Sequence, residues 1–335
     1  MSGDTSQPTA SGRRILVFAD RDTGLRAVLV IDGIDGRVAA GGTRTKAYPN
    51  TETAVAEAMG LAQAMTLKAS IAGVETAGAK MVLLDHEGLD RPAAFRALGR
   101  RVEALAGTFY TAGDLGTNVE DLHAMAETTG YVTTREPELG GAVGRGVRAC
   151  AAACAHHRGL DGLAGLRVAI QGCGAMGTGV AEELAAAGAK LFVADVNSAA
   201  TAAVAATTGA EIVAPDDILR ADVDIFAPCA MGGVLDDATI EGLRAWAVCG
   251  AANNVLAGPE GAERLRQRGI LLVPDYIASA GALVSGICEI QGRDDAEELI
   301  EALGATTAEV LARSDQLGVP TTAIASQLAA ERRSR

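Results

Sequence analysis

No apolar run in this chain is long enough to cross a bilayer, although 49% of its 335 residues are hydrophobic, so a helical membrane anchor is not expected. The opening stretch MSGDTSQPTASG has no apolar core of the kind a signal peptide carries; it reads as a disordered tail over residues 1–12, and a cytoplasmic protein is expected. Positive charge is also in short supply. The net charge is −13, which argues against a nucleic-acid partner, because phosphate binding needs clustered Lys and Arg. The terminal ERRSR is basic but short and reads as a solvated tail. A small anionic substrate remains open, since a local pair of lysines binds one carboxylate.

The six cysteines (Cys150, Cys154, Cys173, Cys229, Cys249, Cys288) form no CxxC pair and no disulfide-rich spacing. Cys150 and Cys154 share one face of the helical stretch RACAAACAHH. With His157 nearby a metal site is conceivable there, but a small apolar helix face is the better reading, and no metal is expected. None of His86, His123, His156 and His157 sits in a motif; surface or structural roles suit them. Trp246, in AWAVCG, reads as a strand residue of the core.

What is present is an alternation of short strands and helices over a length that allows two domains. RILVFAD, LRAVLVID and AKMVLLD read as strands. A helix capped by Asn50 or Thr51 runs through ETAVAEAMGLAQAMTLK, and a second through RPAAFRALGRRVEAL. The segment from Thr133 to Gly146, with Pro137 and four glycines, breaks this pattern and reads as a domain junction. After it, LRVAIQG, KLFVADV, DVDIFAPC, AWAVCG and GILLVPD alternate with helices. Strands apolar on both faces indicate a parallel sheet covered on both sides. The expected fold class is α/β with two domains and a cleft between them: a disordered tail over 1–12, a first domain over 13–135 onto which helices at 305–335 pack back, and a Rossmann-type domain over 136–304.

Gly172, Gly174 and Gly177 form G-x-G-x-x-G between a strand and a helix, with a second strand ending in Asp195. That context makes the motif a dinucleotide fingerprint: a tight turn, a close backbone approach for the pyrophosphate, and a tight strand–helix contact. The helix N-terminus adds unpaired N–H groups and positive potential. Asp195 would accept hydrogen bonds from the adenosine ribose and repel a 2′-phosphate, and DVNSAA offers no Arg or Lys; NAD is therefore expected over NADP.

Across the presumed cleft the candidates are Lys68, Lys80 and Asp114. In MTLKASIAGVETAGAK two lysines stand among Ala, Gly, Ile and Val with only Glu75 between them. Either both are solvated, or both face a cleft where burial and mutual repulsion turn one into a base. Lys80 opens the strand AKMVLLD after TAG, and Asp114 sits in the small-residue loop TAGDLGT.

In order along the chain, GLRAVLVID, AAGGTR, AMTLKASIAG, AGAKMVLL, FYTAGDLGT, IQGCGAMG, VADVN, IFAPCAMGG, GAANNVL and PDYIASAG resemble the leucine, phenylalanine and valine dehydrogenases of the glutamate dehydrogenase superfamily. The resemblance implies a hydride-transferring amino-acid dehydrogenase that forms a dimer or larger homo-oligomer. It assigns the substrate α-carboxylate to Lys68, activation of water for attack on an imine to Lys80, and proton transfer at the substrate nitrogen to Asp114. It gives Asn254 a hold on substrate or the nicotinamide ribose, and places Gly41, Gly42 and Ala40 beside the substrate. Cofactor contacts fall to Gly172, Gly174, Ala175, Met176, Gly177, Asp195, Val196, Cys229, Ala230 and Asn253. A cleft hinging near Gly140 to Gly146 would close and exclude water.

The chain departs from the family pattern at Gly141 (where a threonine belongs), Ala77 (Gly), Gly113 (Glu) and Ser279 (Asn). Ala40, Leu283 and Gly286 stand where leucine-accepting relatives carry bulky aliphatics, which opens volume for a larger, bulky apolar or aromatic side chain. The expected reaction is reversible NAD-dependent oxidative deamination of an L-amino acid to the 2-oxo acid and ammonia. The departures keep open a reductase of a specialised imine or 2-oxo acid in biosynthesis, and, behind it, a non-catalytic NAD-binding relative.

Overall fold

The computed structural model describes residues 12–33, 37–134 and 136–333. Residues 1–11 of the expected tail, and Ser334 and Arg335 of ERRSR, lie outside them. The chain divides into two compact units, Met1–Thr66 with Glu75–Thr134, and Leu67–Val74 with Arg135–Arg335. No helix among the described residues is long and apolar enough to cross a membrane.

The first unit contains β1 (Arg13–Asp20), β2 (Leu25–Asp32), β3 (Ala39–Ala40), β4 (Thr43–Lys46), α1 (Thr51–Ile71, whose last turn belongs to the second unit), β5 (Ala77–Leu84), α2 (Arg91–Glu103), β6 (Phe109–Tyr110) and α3 (Val119–Ala126). The sheet runs β1-β2-β5-β3-β6, with β4 also on β5; β1 and β2 are antiparallel to their neighbours, and β3, β4 and β6 run parallel to β5 or to each other. Alternation along β5 decides the layers. Ala77, Ala79, Met81 and Leu83 pack on Phe95, Leu98 and Val102 of α2 and Met125 of α3. Val82 and Leu84 face the other way, with Val28 and Val30, onto the alanine row Ala54, Ala58 and Ala62 of α1. Four-residue spacing puts that row on one helix face. The Asn50 side chain caps α1 by accepting from Thr53 N at 2.8 Å. Gly78 lets α1 lie close to the sheet: a Cβ there would fall 2.3 Å from the Ala62 carbonyl.

The second unit follows with α4 (Glu136–His157), β7 (Arg167–Gln171), α5 (Ala175–Ala186), β8 (Lys190–Ala194), α6 (Ser198–Thr208), β9 (Glu211–Ile212), β10 (Ile225–Pro228), α7 (Asp237–Gly242), β11 (Ala247–Val248), α8 (Gly261–Gln267), β12 (Leu271–Leu272), α9 (Asp275–Ala278), α10 (Gly281–Gln291), α11 (Ala296–Leu317) and α12 (Thr321–Arg333). Its six strands are all parallel, in the order β12-β11-β10-β7-β8-β9. This is the doubly wound order, in which strand succession reverses beside β7.

Two local readings need correction. The division between units, at Thr134–Arg135, falls within the segment read as a junction, but its glycines do not form a loop: the chain is helical from Glu136 onward. Glycine costs a helix about 1 kcal/mol per residue, and here it permits backbone contact: a Cβ at Gly144 would lie 2.2 Å from the Gly179 carbonyl of α5. Helices α11 and α12 belong to the second unit, where α11 packs along α4. Trp246 precedes β11 and is only half-buried. Its Nε1 donates to Asp224 at 3.4 Å, and the Arg158 guanidinium lies over its ring. Cys150 and Cys154 are fully buried on α4, and His157 pairs with Asp315 at 2.9 Å.

Candidate active site

Lys80 is the fourth of eight residues in β5, opposite Val30 of β2. It therefore stands in the middle of a strand, not at the strand end that AKMVLLD suggested, and on the face covered by α1. Only 6% of it is exposed. Its Nζ meets Asp114 Oδ2 at 2.8 Å. Asp114 reaches it from the loop after β6, which runs beside β4: Gly113 bridges to Thr43, Thr45 N donates to the Leu115 carbonyl, and the Thr45 and Thr117 hydroxyls meet at 2.7 Å.

The Gly41–Gly42 turn between β3 and β4 is what brings these chains so close. A Cβ on Gly41 would sit 1.7 Å from the Ala79 carbonyl, and one on Gly42 would be 2.9 Å from the Gly113 carbonyl and 3.0 Å from Asp114 Cβ. Ala40 pairs with Gly78 and Tyr110, on the Lys80 face of the sheet.

Two charged residues that sequence reasoning missed complete this cluster. Arg44, in register with Val82 of β5, points to the same face. Its Nε donates to Asp114 Oδ2 and its Nη1 to Glu57 Oε1 of α1, both at 2.7 Å. The fixed signal for Arg44 was its position two residues beyond Gly42 in AAGGTR; Glu57 carried none. Burial, aided by the Arg44 charge, pushes the Lys80 ammonium below its ordinary value, against the opposing pull of Asp114 and Glu57. Burial alone would raise the Asp114 carboxyl, but Lys80 and Arg44 outweigh it and hold it below the usual carboxylate range. Arg44, which the sequence reading did not include, is thus a cation working against Lys80.

Lys68 stands in the last turn of α1, in the second unit. Its Nζ donates to Ser279 Oγ at 2.8 Å and to Asn253 Oδ1 at 3.0 Å, and Ser279 Oγ also lies 3.2 Å from Asn253 Oδ1. Ser279, one of the departures from the family pattern, is thereby in direct contact with an expected substrate-binding lysine. Asn254 has φ +53°, its N–H donating to the Asp275 carboxylate and its carbonyl accepting from Gly233 N. Its side chain is exposed.

The glycine fingerprint lies where β7 passes into α5. Gly172 has φ +103°, and a Cβ there would meet Ala230 at 2.8 Å; Gly177 approaches the Gly172 carbonyl so closely that a Cβ would fall at 1.9 Å. Around Gly174 nothing comes within 4 Å of a Cβ, and no side chain caps the helix it begins. An open cradle facing uncapped N–H groups fits a pyrophosphate. Gly174 and Ala175 are exposed and Met176 half-buried at this corner. Asp195 Oδ2 accepts from Cys173 N at 2.7 Å and Oδ1 from Asn197 N at 2.8 Å, and these backbone bonds hold its carboxyl below the usual range. Val196 beside it is 94% exposed. Cys229 and Ala230 follow β10, next to the loop. On α10, Leu283 and Gly286 are three residues apart and both half-buried, and no atom lies within 4 Å of a Cβ on Gly286.

Comparison with known proteins agrees with this geometry. Residues 17–131 match the model for the Glu/Leu/Phe/Val dehydrogenase dimerisation domain, and residues 193–312 that for Glutamate/Leucine/Phenylalanine/Valine dehydrogenase. The chain is 35% identical over 332 residues to leucine dehydrogenase of Bacillus cereus, covering 95% of this chain and 90% of that one. It is 37% identical over 312 residues to phenylalanine dehydrogenase of Lysinibacillus sphaericus, covering 89% and 82%. The crystal structure of L-tryptophan dehydrogenase from Nostoc punctiforme superposes with a TM-score of 0.81 at 32% identity, over 95% of each chain. An N-terminal mixed sheet holding a buried lysine–aspartate pair, followed by a parallel-sheet unit with a dinucleotide turn, is therefore the frame of an oxidoreductase acting on CH–NH2 donors, and the chain belongs to the Glu/Leu/Phe/Val dehydrogenase family of amino-acid dehydrogenases.

Proposed function

We propose that this chain catalyses the NAD-dependent, reversible oxidative deamination of an L-amino acid with a bulky apolar or aromatic side chain. The observation that carries the reading is the Lys80–Asp114 pair, a buried ammonium 2.8 Å from a carboxylate. NAD, held at the glycine turn, would supply the hydride acceptor for the substrate Cα. The remaining work is done by side chains. Lys68 holds the α-carboxylate. Lys80, in its neutral form, takes a proton from water as that water adds to the imine carbon. Asp114 moves protons to and from the nitrogen that leaves as ammonia. General-base help of this kind is worth roughly 10²–10⁴-fold. Burial makes the neutral lysine available below the 10.5 of an ordinary lysine, so oxidation speeds up as pH rises until Lys80 is fully deprotonated.

The pyrophosphate would rest on Gly174, Ala175 and Met176. Asp195, ionised and bonded to two backbone N–H groups, would take the adenosine ribose beside Val196 and disfavour a 2′-phosphate. Cys229, Ala230 and Asn253 would complete the cofactor contacts, with Asn254 holding substrate or ribose. The small Ala40 and the open space at Gly286 support a large substrate side chain, as does likeness to an L-tryptophan dehydrogenase. The dimerisation-domain match supports a homo-oligomer, which light scattering would size.

The test is NADH formation by purified protein at alkaline pH with L-leucine, L-valine, L-phenylalanine and L-tryptophan. The expected result is highest kcat/KM with one of the aromatic pair, and little turnover with NADP. Silence across the panel with NAD still bound would overturn this reading and favour the specialised imine or 2-oxo acid reductase, for which the changes at Gly141 and Ser279 are the motive.

A further inference from the structure

We propose that Arg44 is a positioning residue of this site, clamping Asp114 through a single oxygen and supplying the positive charge against which Lys80 works as a base. The inference rests on the assignment of Lys80 and Asp114 made above.

The geometry is specific. Arg44 Nε and Lys80 Nζ both meet Oδ2 of Asp114, at 2.7 and 2.8 Å. Among the described residues no hydrogen bond is formed to Oδ1. One carboxylate oxygen is thus held by two cations, and the other is left to exchange a proton with the substrate nitrogen. The guanidinium is itself held from two sides, by Asp114 in the loop after β6 and by Glu57 Oε1 on α1 at 2.7 Å. A planar fork spanning two carboxylates holds its two acceptor oxygens, Asp114 Oδ2 and Glu57 Oε1, in a fixed relation to one another, which a single ammonium does not.

The charges around Lys80 come from three elements: Asp114 from the loop, Arg44 from β4 and Glu57 from α1. Lys46 of β4 reaches Glu57 Oε2 at 3.4 Å, and the Tyr48 phenol lies beside Glu57 and Arg44. Without Arg44, Lys80 would stand between two carboxylates that keep its proton on. Without Glu57, one of those carboxylates is gone and the proton comes off more easily. The two substitutions therefore act with opposite sign.

The experiment uses the full chain with 15N-labelled lysine. Only four lysines occur, Lys46, Lys68, Lys80 and Lys190, so the Nζ resonance of Lys80 is assigned by its loss in Lys80→Met. Its titration is followed in wild type, Arg44→Met, Arg44→Lys and Glu57→Gln, alongside the pH profile of kcat/KM for L-phenylalanine oxidation by NAD. Arg44→Met should titrate higher by about half a unit or more, with the acid limb of the profile moving the same way, and Glu57→Gln should titrate lower. Arg44→Lys should return the titration towards wild type but leave kcat about tenfold down, because the fork is lost. An unmoved Lys80 titration in Arg44→Met, or shifts of the same sign in Arg44→Met and Glu57→Gln, overturns the proposal. Should Arg44→Met fail to fold, undiminished kcat in Arg44→Lys overturns the clamp. Full turnover in Lys80→Met refutes the assignment beneath it instead; an inactive Lys80→Met with an unmoved titration in Arg44→Met refutes the role of Arg44 alone.

Discussion

In the second unit the central strands β7, β8 and β10 are mostly buried, and the polar groups of interest stand in the turns beyond their C-terminal ends. In the first unit a lysine and an arginine stand within the sheet itself, beneath α1. The difference is one of assembly. A turn after a strand is made by consecutive residues, and the glycine loop takes its shape from Gly172, Gly174 and Gly177 almost unaided. The cluster at Lys80 needs the register of β4 on β5, a loop returning beside β4, and α1 lying close over Gly78. A charge set in a sheet face must also be matched by other charges, because unpaired burial costs several kcal/mol. The first unit meets that cost with two carboxylates and three cations in one contact chain.

That contrast separates variants by what they break. Lys80→Met should lower kcat by about 10²–10⁴-fold while NAD still binds, as stopped-flow turnover and cofactor titration would show; retained turnover would end the distinction between the units. Gly177→Val places a side chain against the Gly172 carbonyl and should weaken NAD binding at least about tenfold, with a stability loss of about 1–3 kcal/mol in chemical unfolding, leaving the Lys80 titration unmoved. Gly286→Leu fills space that is open in this chain. It should shift kcat/KM from L-phenylalanine towards L-valine by about tenfold or more, the worth of a methylene or two in a pocket. Ser279→Ala removes one bond to Lys68 and should raise the substrate KM several-fold, about 1 kcal/mol, with kcat within about twofold.

The parallel sheet, the dinucleotide turn and its closing aspartate were legible in the sequence because each is local: a strand period, a glycine spacing, a strand end. The lysines and Asp114 were picked out through resemblance, which supplied expected roles but not their surroundings. Lys80 was misplaced by two residues of strand, since TAG reads as a turn when its packing partner α1 is out of view. The glycines after Pro137 misled for a related reason. Glycine signals a turn in isolation, whereas Gly140 and Gly144 serve the close contact of α4 with α5, a long-range demand that overrides local propensity.

By itself the sequence determined the α/β class, the two-part organisation and the glycine turn between β7 and α5, because periodicity and motif spacing are properties of neighbouring residues. Only the tertiary structure decided that Arg44 is a cation that opposes Lys80, that Ser279 touches Lys68, and that α11 and α12 belong with the second unit. Each of those facts depends on strand register or helix packing between residues far apart in the chain, and pairings of that kind are fixed by the burial of whole faces rather than by any short stretch of sequence.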